Sequence, residues 1–352
     1  MSSSSKTFIL DFGSQTIRAG WSDSATPSIE LETGLLDAPT PKISSIAVSG
    51  RDLLLPLPAG PVRPRAVPLV RRGILTDPKA IDLVSEMAAA KGGRALVLVP
   101  VSLSETHRHE LAGRAMELGF EAVAFARAPT ASLFGAGELT GLSVEVGHGL
   151  AQTSAVVDGY LIEKGAAWRE LAGLDVSKAL TRILRKAGLL CRPGGEEKVV
   201  RAVKESACSV RTKTEPARPL RVSMPDGEEL LLAEERLDAA EVLFSRQGGL
   251  QKLAFDALQD AEKDLAAVLQ KNVRVFGGCS NLPGFTERFA NELKGLMHPN
   301  SPLEVVSLND KKNNSAWIGG TALAQLDSMK SFWVTPAELY EQGDRILFKR
   351  IV

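Results

Sequence analysis

Cysteine is scarce: three thiols, Cys191, Cys208 and Cys279, stand far apart with no CxxC pair. That excludes a disulfide framework and the usual zinc-ligand spacings, and it matches a reducing compartment. Aromatic residues make up only 5% of the chain, and none interleave with basic residues in the way that stacks single-stranded nucleic acid. Neither sign of charge prevails. With 42 basic against 42 acidic residues the formal net charge is zero, so nucleic acid is not an expected partner, nor is an anionic membrane surface. No run of eighteen apolar residues occurs, and the opening MSSSSKTFILDFG lacks the basic start and long apolar stretch of a secretion signal. The expected location is the cytoplasm, with the nucleus as the alternative.

What is present is enough for two lobes. A chain of 352 residues, 44% hydrophobic and 24% charged, outgrows one ordinary core. TFILDFG and TIRAGWSD, punctuated by GSQ, read as a hairpin. From 30 to 72 the sequence is irregular and proline-rich, with short strand candidates at 43–48 and 52–55 and a basic run, RPRAVPLVRR. Helical patterns at 78–91, 104–118 and 129–137 then alternate with the strands RALVLVP and AVAFA, which predicts parallel pairing. LSVEVGHG, AQTSAVVDG and YLIEKG form a second hairpin set resembling the first. Helices are predicted over 174–187, 196–210 and 247–271, interrupted by the hairpin RVSMPDGEELLL with its Pro225-Asp226-Gly227 turn. VRVFGG, a helix at 284–293, LEVVSL and a helix at 316–326 follow, leaving a tail from 333.

Two hairpins of the form strand, acidic-x-Gly-x, strand, and a later strand ending in Gly-Gly, resemble the actin, sugar kinase and Hsp70 superfamily. Glycine lets the turn backbone approach a phosphate chain without a Cβ in the way, and its N–H groups point at the anion. An acidic residue ahead of each turn can hold a hydrated divalent cation. Within that superfamily the chain resembles the actin family nearly end to end. The matching segments, in order, are LDFGSQTIRAGWSD, GILTD, SVEVGHGLAQTSAVVDGY, ELAGLDVSKALTRIL, VVRAVKESACSV, FGGCSNLPGFTERF and SAWIGGTALAQL with FWVTPAELYEQG. The resemblance implies an α/β, actin-like (ribonuclease H-like) fold of two lobes with a nucleotide cleft between them. One lobe would comprise 1–135 plus 317–352, with its second subdomain shortened, and the other 136–316.

The same resemblance places cofactor contacts at Asp11, Gly13, Ser14, Gln15, Arg18, Gly147, His148, Gly149, Leu150, Gly173, Asp175, Lys204, Glu205, Gly277, Gly278, Cys279 and Leu282, for ATP or ADP with magnesium. Asp11 and Glu145 are the candidate metal carboxylates. The departures from the family cluster on hydrolysis. The water-positioning glutamine falls on Ala128, which cannot hydrogen-bond through its side chain. The nearby histidine becomes Gln152, and the two metal-ordering aspartates become Glu145 and His148. Positioning and electrostatics supply nearly all the rate in phosphoryl transfer, so no catalytic residue is expected and the chain reads as a degenerate ATPase. Gln15, where the family has glycine, puts a side chain beside the phosphates.

The implied role is a structural subunit of a multiprotein cytoskeletal or motor-adaptor complex, with protein partners that include actin or other actin-related proteins. The alternatives are a nuclear subunit of a chromatin remodeller and an ATP-binding, polymerising protein. The region 44–72 and the stretch 244–271 are shorter than in the family, which disfavours a homopolymer. Two further features have plainer readings. His107 and His109, two apart on a helix, point to different faces rather than to one metal. Arg63, Arg65, Arg71 and Arg72 form a solvated basic face beside a proline-rich turn.

Overall fold

The computed structural model describes residues 6–33, 70–76, 81–82, 84, 92–189, 196–212, 216–223, 229–245, 248–308 and 314–352. The strands expected at 43–48 and 52–55, most of the helix expected at 78–91, Cys191, Arg63, Arg65 and the turn at 225–227 lie outside them.

Strands β1 (Thr7–Phe12), β2 (Thr16–Trp21) and β3 (Ile29–Glu32) form an antiparallel meander, followed by the short pair β4 (Val70–Arg71) and β5 (Ile74–Leu75). β6 (Arg94–Val99) and β7 (Ala122–Arg127) then add in parallel, giving a five-stranded sheet in the order β3-β2-β1-β6-β7. The plan then repeats. β8 (Gly141–Val146), β9 (Ala151–Val157) and β10 (Tyr160–Arg169) form a second meander. After the hairpin β11 (Leu220–Ser223) and β12 (Glu229–Leu232), β13 (Val273–Phe276) and β14 (Val305–Ser307) complete a sheet in the order β10-β9-β8-β13-β14. Each sheet is therefore mixed, and the two have the same topology. This is the α/β actin-like plan with two lobes.

Helices cover both faces of the sheets, as parallel strands require. In the first sheet Phe8 and Leu10 face one buried cluster with Leu111, Phe125 and Val334, while Ile9, Leu96 and Leu98 face another with Trp317 and Leu323. The alternation is the period-two signature of a strand buried on both sides. In the second sheet Leu142 and Val144 pack with Val176, Leu180, Phe285 and Phe289. The tail returns to the first sheet, where Val334 and Val352 exchange backbone hydrogen bonds with Val123, Phe125 and Arg127 on β7. That pairing protects what would be an open edge.

Two helices join the sheets. One, Ala128–Gly135, runs from β7 to β8, and the other, Ser315–Gln325, returns from β14. They cross almost backbone to backbone: a Cβ on Gly319 would lie 1.6 Å from the Ala131 carbonyl oxygen, and one on Gly135 2.4 Å from that of Ser315. Only glycine permits this approach, which fixes how the lobes meet.

Two local expectations shift. The helix expected over 247–271 is two helices, Leu250–Asp260 and Lys263–Gln270, because Ala261 and Glu262 take extended backbone. The His107 ring meets the Ser104 hydroxyl and His109 pairs with Asp344, so the two do face different neighbours.

Candidate functional site

Asp11 is fifth of the six residues of β1, and Glu145 fifth of six in β8; in each strand it is the one position that is not fully buried. The repeated topology therefore aims one carboxylate from each sheet at the same space. Their cross-strand neighbours are equivalent too, Arg18 opposite Asp11 and Gln152 opposite Glu145.

Between the lobes lies a cleft of about 470 Å³, within the ~300–1,000 Å³ usual for small-molecule sites. Asp11, Gly13, Ser14, Gln15, Arg18, Glu145, Gly147, His148, Gly149, Leu150, Gly173, Lys204, Glu205, Gly277, Gly278, Cys279 and Leu282 all line it, together with Ala128 and Gln152. Asp175 does not. As the third residue of the helix Gly173–Lys186 it accepts from the Ala172 backbone N–H (3.0 Å), and both its oxygens take the Arg72 guanidinium (2.7 and 2.9 Å). Burial alone would raise its carboxyl, but these bonds hold it below the ordinary value. Arg72 corrects a second expectation. It is not part of a solvated basic face, since its side chain is only 13% exposed while Arg71 next to it is exposed.

The electrostatics follow from burial. Burial pushes the Asp11 carboxyl up, with Arg18 opposing. Glu145 is pushed up to about 7, chiefly by burial and then by Asp11, while its hydrogen bond from Gln152 works the other way. His148 is pushed down to about 4, first by burial and then by Lys204, Arg201 and Arg72, so it is neutral near pH 7. Cys279 is pushed up to about 12 by burial and remains a thiol. Lys204, 7% exposed, is lowered by burial and bonds Ser177 Oγ (3.1 Å).

The Gln152 amide is anchored at both ends by two bonds, with one N–H and one oxygen lone pair left beyond them. Its Nε2 donates to Glu145 Oε2 (2.8 Å) and its Oε1 accepts from the Val101 backbone N–H (2.8 Å). Gln15 crosses between the two turns. With its amide oriented to satisfy both ends, Nε2 donates to His148 Nδ1 (3.0 Å) and Oε1 accepts from Arg201 (2.7 and 2.8 Å). The reverse orientation offers only a 3.4 Å contact to Glu205. Sequence reasoning missed Arg201 and Arg72. Arg201 had a signal, because it shares a helix face with Lys204 and Glu205 at three- and four-residue spacing.

The family model for actin matches residues 2–352. The chain belongs to the actin family. Relatives include "Actin-like protein" of Neurospora crassa, 27% identical over 96% of both chains, and human "Actin-like protein 9", 29% identical over 97% of this chain and 87% of that one. "Centractin" of Schizosaccharomyces pombe is 29% identical over 66% of this chain, an alignment that spans 65% of centractin. Identities this modest mark a divergent actin-related protein.

Actin-family membership implies a nucleotide with magnesium, and the two ends of this cleft suit it differently. Around Lys204, Glu205, Gly277, Gly278 and Leu282 the walls offer glycine backbone, a buried cation and apolar surface, which suit a sugar and base. Between the turns the arrangement does not fit a phosphate chain and its metal. Gln15 spans the space, and the nearby cations are committed: Arg18 to Glu30 (3.3 Å), Arg201 to Glu32 (2.7 Å) and Glu205 (2.9 Å), Arg72 to Asp175. Glu145, one of the two candidate metal carboxylates, is held by Gln152.

Proposed function

We propose that this actin-related protein is a structural, non-hydrolysing subunit of a multiprotein cytoskeletal or motor-adaptor assembly, cytoplasmic and associated with the cytoskeleton. The observation that carries the reading is the commitment of Gln152. Its amide is fixed between Val101 and Glu145, Ala128 presents only a methyl group, and the one lone pair of neutral His148 at Nδ1 is taken by Gln15. Deprotonating an attacking water needs a base, and an amide, a methyl group and a histidine whose lone pair is engaged supply none at these positions. Positioning it needs a side chain free to turn, which the doubly anchored Gln152 is not. Similarity to proteins named centractin and actin-like protein supports an actin-related role. Among the described residues no helix is long and apolar enough to cross a membrane.

Sedimentation in magnesium-ATP, with phosphate release followed in parallel, tests this reading. The expected outcome is a discrete species in the supernatant and background phosphate. Pelleted polymer with phosphate release would replace the reading with that of an active, polymerising ATPase.

A further inference from the structure

The two turns of the cleft touch. A Cβ placed on Gly149 would lie 2.5 Å from Ser14 Oγ, 2.8 Å from Ser14 Cβ and 2.9 Å from Arg72 Cα. Ser14 Oγ in turn accepts from the Gly73 backbone N–H (3.0 Å). This contact brings together the first turn, the β4–β5 turn and the second turn.

Arg72 sits at the tip of the β4–β5 turn with φ +50°, a left-handed conformation that a non-glycine residue keeps only where its surroundings over-determine it. The partners of its side chain are all on the opposite lobe. The guanidinium donates to the Gly149 carbonyl (3.2 Å), the Glu170 carbonyl (2.7 Å) and both Asp175 oxygens. The planar fork matches the carboxylate in two places at once, which a lysine cannot do. A second tie lies a few residues away, where Gln15 from the first turn holds His148 and Arg201, and Arg201 reaches back across the cleft to Glu32 on β3.

We infer that these contacts form an internal latch: Arg72 clasps Gly149, Glu170 and Asp175, and Gln15 bridges to His148 and Arg201, so that the cleft stays closed without a bound nucleotide. The inference deepens the structural reading above and rests on it for its meaning. The two fail separately, since the latch is read from cleft opening and the non-hydrolysing role from phosphate release.

The test is hydrogen exchange by mass spectrometry on the full chain, after EDTA and apyrase treatment, over the segments 13–16 and 147–150. Wild type is expected to exchange at the same rate before and after stripping. Arg72→Ala should speed exchange in both turns by about tenfold or more, as expected for losing a two-pronged, charge-assisted pair. Arg72→Lys should fall between, because it keeps the charge and loses the fork. If Arg72→Ala does not fold, Asp175→Asn and Gln15→Gly each remove one tie and should each speed exchange. The inference is overturned if stripped wild type opens as fast as the variants, which would mean that nucleotide holds the cleft. It is equally overturned if the variants match wild type.

Discussion

His148 and Glu145 stand three residues apart and bias stability against pH in opposite directions. The His148 ring titrates near 4 in the fold against an ordinary 6.5. The unfolded chain therefore takes up a proton that the native chain refuses, and stability present above pH 6.5 is lost as pH falls towards 4. Glu145 titrates near 7 against an ordinary 4.5. The unfolded chain then releases a proton that the native chain keeps, so stability present below pH 4.5 is lost as pH rises through 7. Each displacement corresponds to roughly 3 kcal/mol. Between pH 4.5 and 6.5 the two slopes oppose and largely cancel in the wild type. Single substitutions should uncover them. With Glu145→Gln, urea midpoints should climb from pH 4.5 to 6.5 relative to wild type, because only the histidine remains. With His148→Gln they should fall over the same range and on to pH 7. Midpoints followed by tryptophan fluorescence every half unit from pH 4.5 to 8 would show this. Two variants that track the wild-type profile would refute the assignment of a neutral His148 and a protonated Glu145 to the closed cleft.

Four other outcomes are expected. Gly319→Ala, whose Cβ would meet the Ala131 carbonyl at 1.6 Å, should cost roughly 3 kcal/mol or more through overpacking and remove soluble protein. Gly113→Ala, in the middle of the helix Glu105–Glu117 with open space around its Cβ, should stabilise by about 0.5–1 kcal/mol, as read by thermal denaturation. Gln15→Gly should raise affinity for a fluorescent ATP analogue by about tenfold, because it clears the space between the turns. Ala128→Gln should leave phosphate release at background, because Gln152 stays fixed between Val101 and Glu145.

Much of the fold was legible because it is written in local patterns. The double-faced apolar runs TFILDF and RALVLV and the hairpin turn at Asp158-Gly159 announce their strands, and the repeated acidic-x-Gly turns announce the cleft. Sheet order was not legible, since nothing within β1 says that β6 will pair beside it. The break at Ala261 was hidden because no glycine or proline marks it. At the site, the sequence brought nearly every expected residue to one cleft but misread two. Arg71 and Arg72 look alike in sequence, yet Arg72 takes a positive φ and its side chain reaches Asp175, while its neighbour stays in solvent. Asp175 was expected at the nucleotide because its pairing partner lies about a hundred residues away, beyond the reach of any motif. The commitment of Gln152 was likewise invisible, because it depends on the Val101 backbone from another part of the chain.

The most direct test of a cleft that does not hydrolyse is to denature freshly purified protein and identify the nucleotide released by ion-exchange chromatography, beside a magnesium-ATP turnover assay on the same preparation. With Gln15 spanning the space between the turns and the nearby arginines paired, the expected result is no released nucleotide and phosphate release at background. Sustained ADP production would contradict it, by showing that Ala128, Gln152 and His148 leave the chemistry intact.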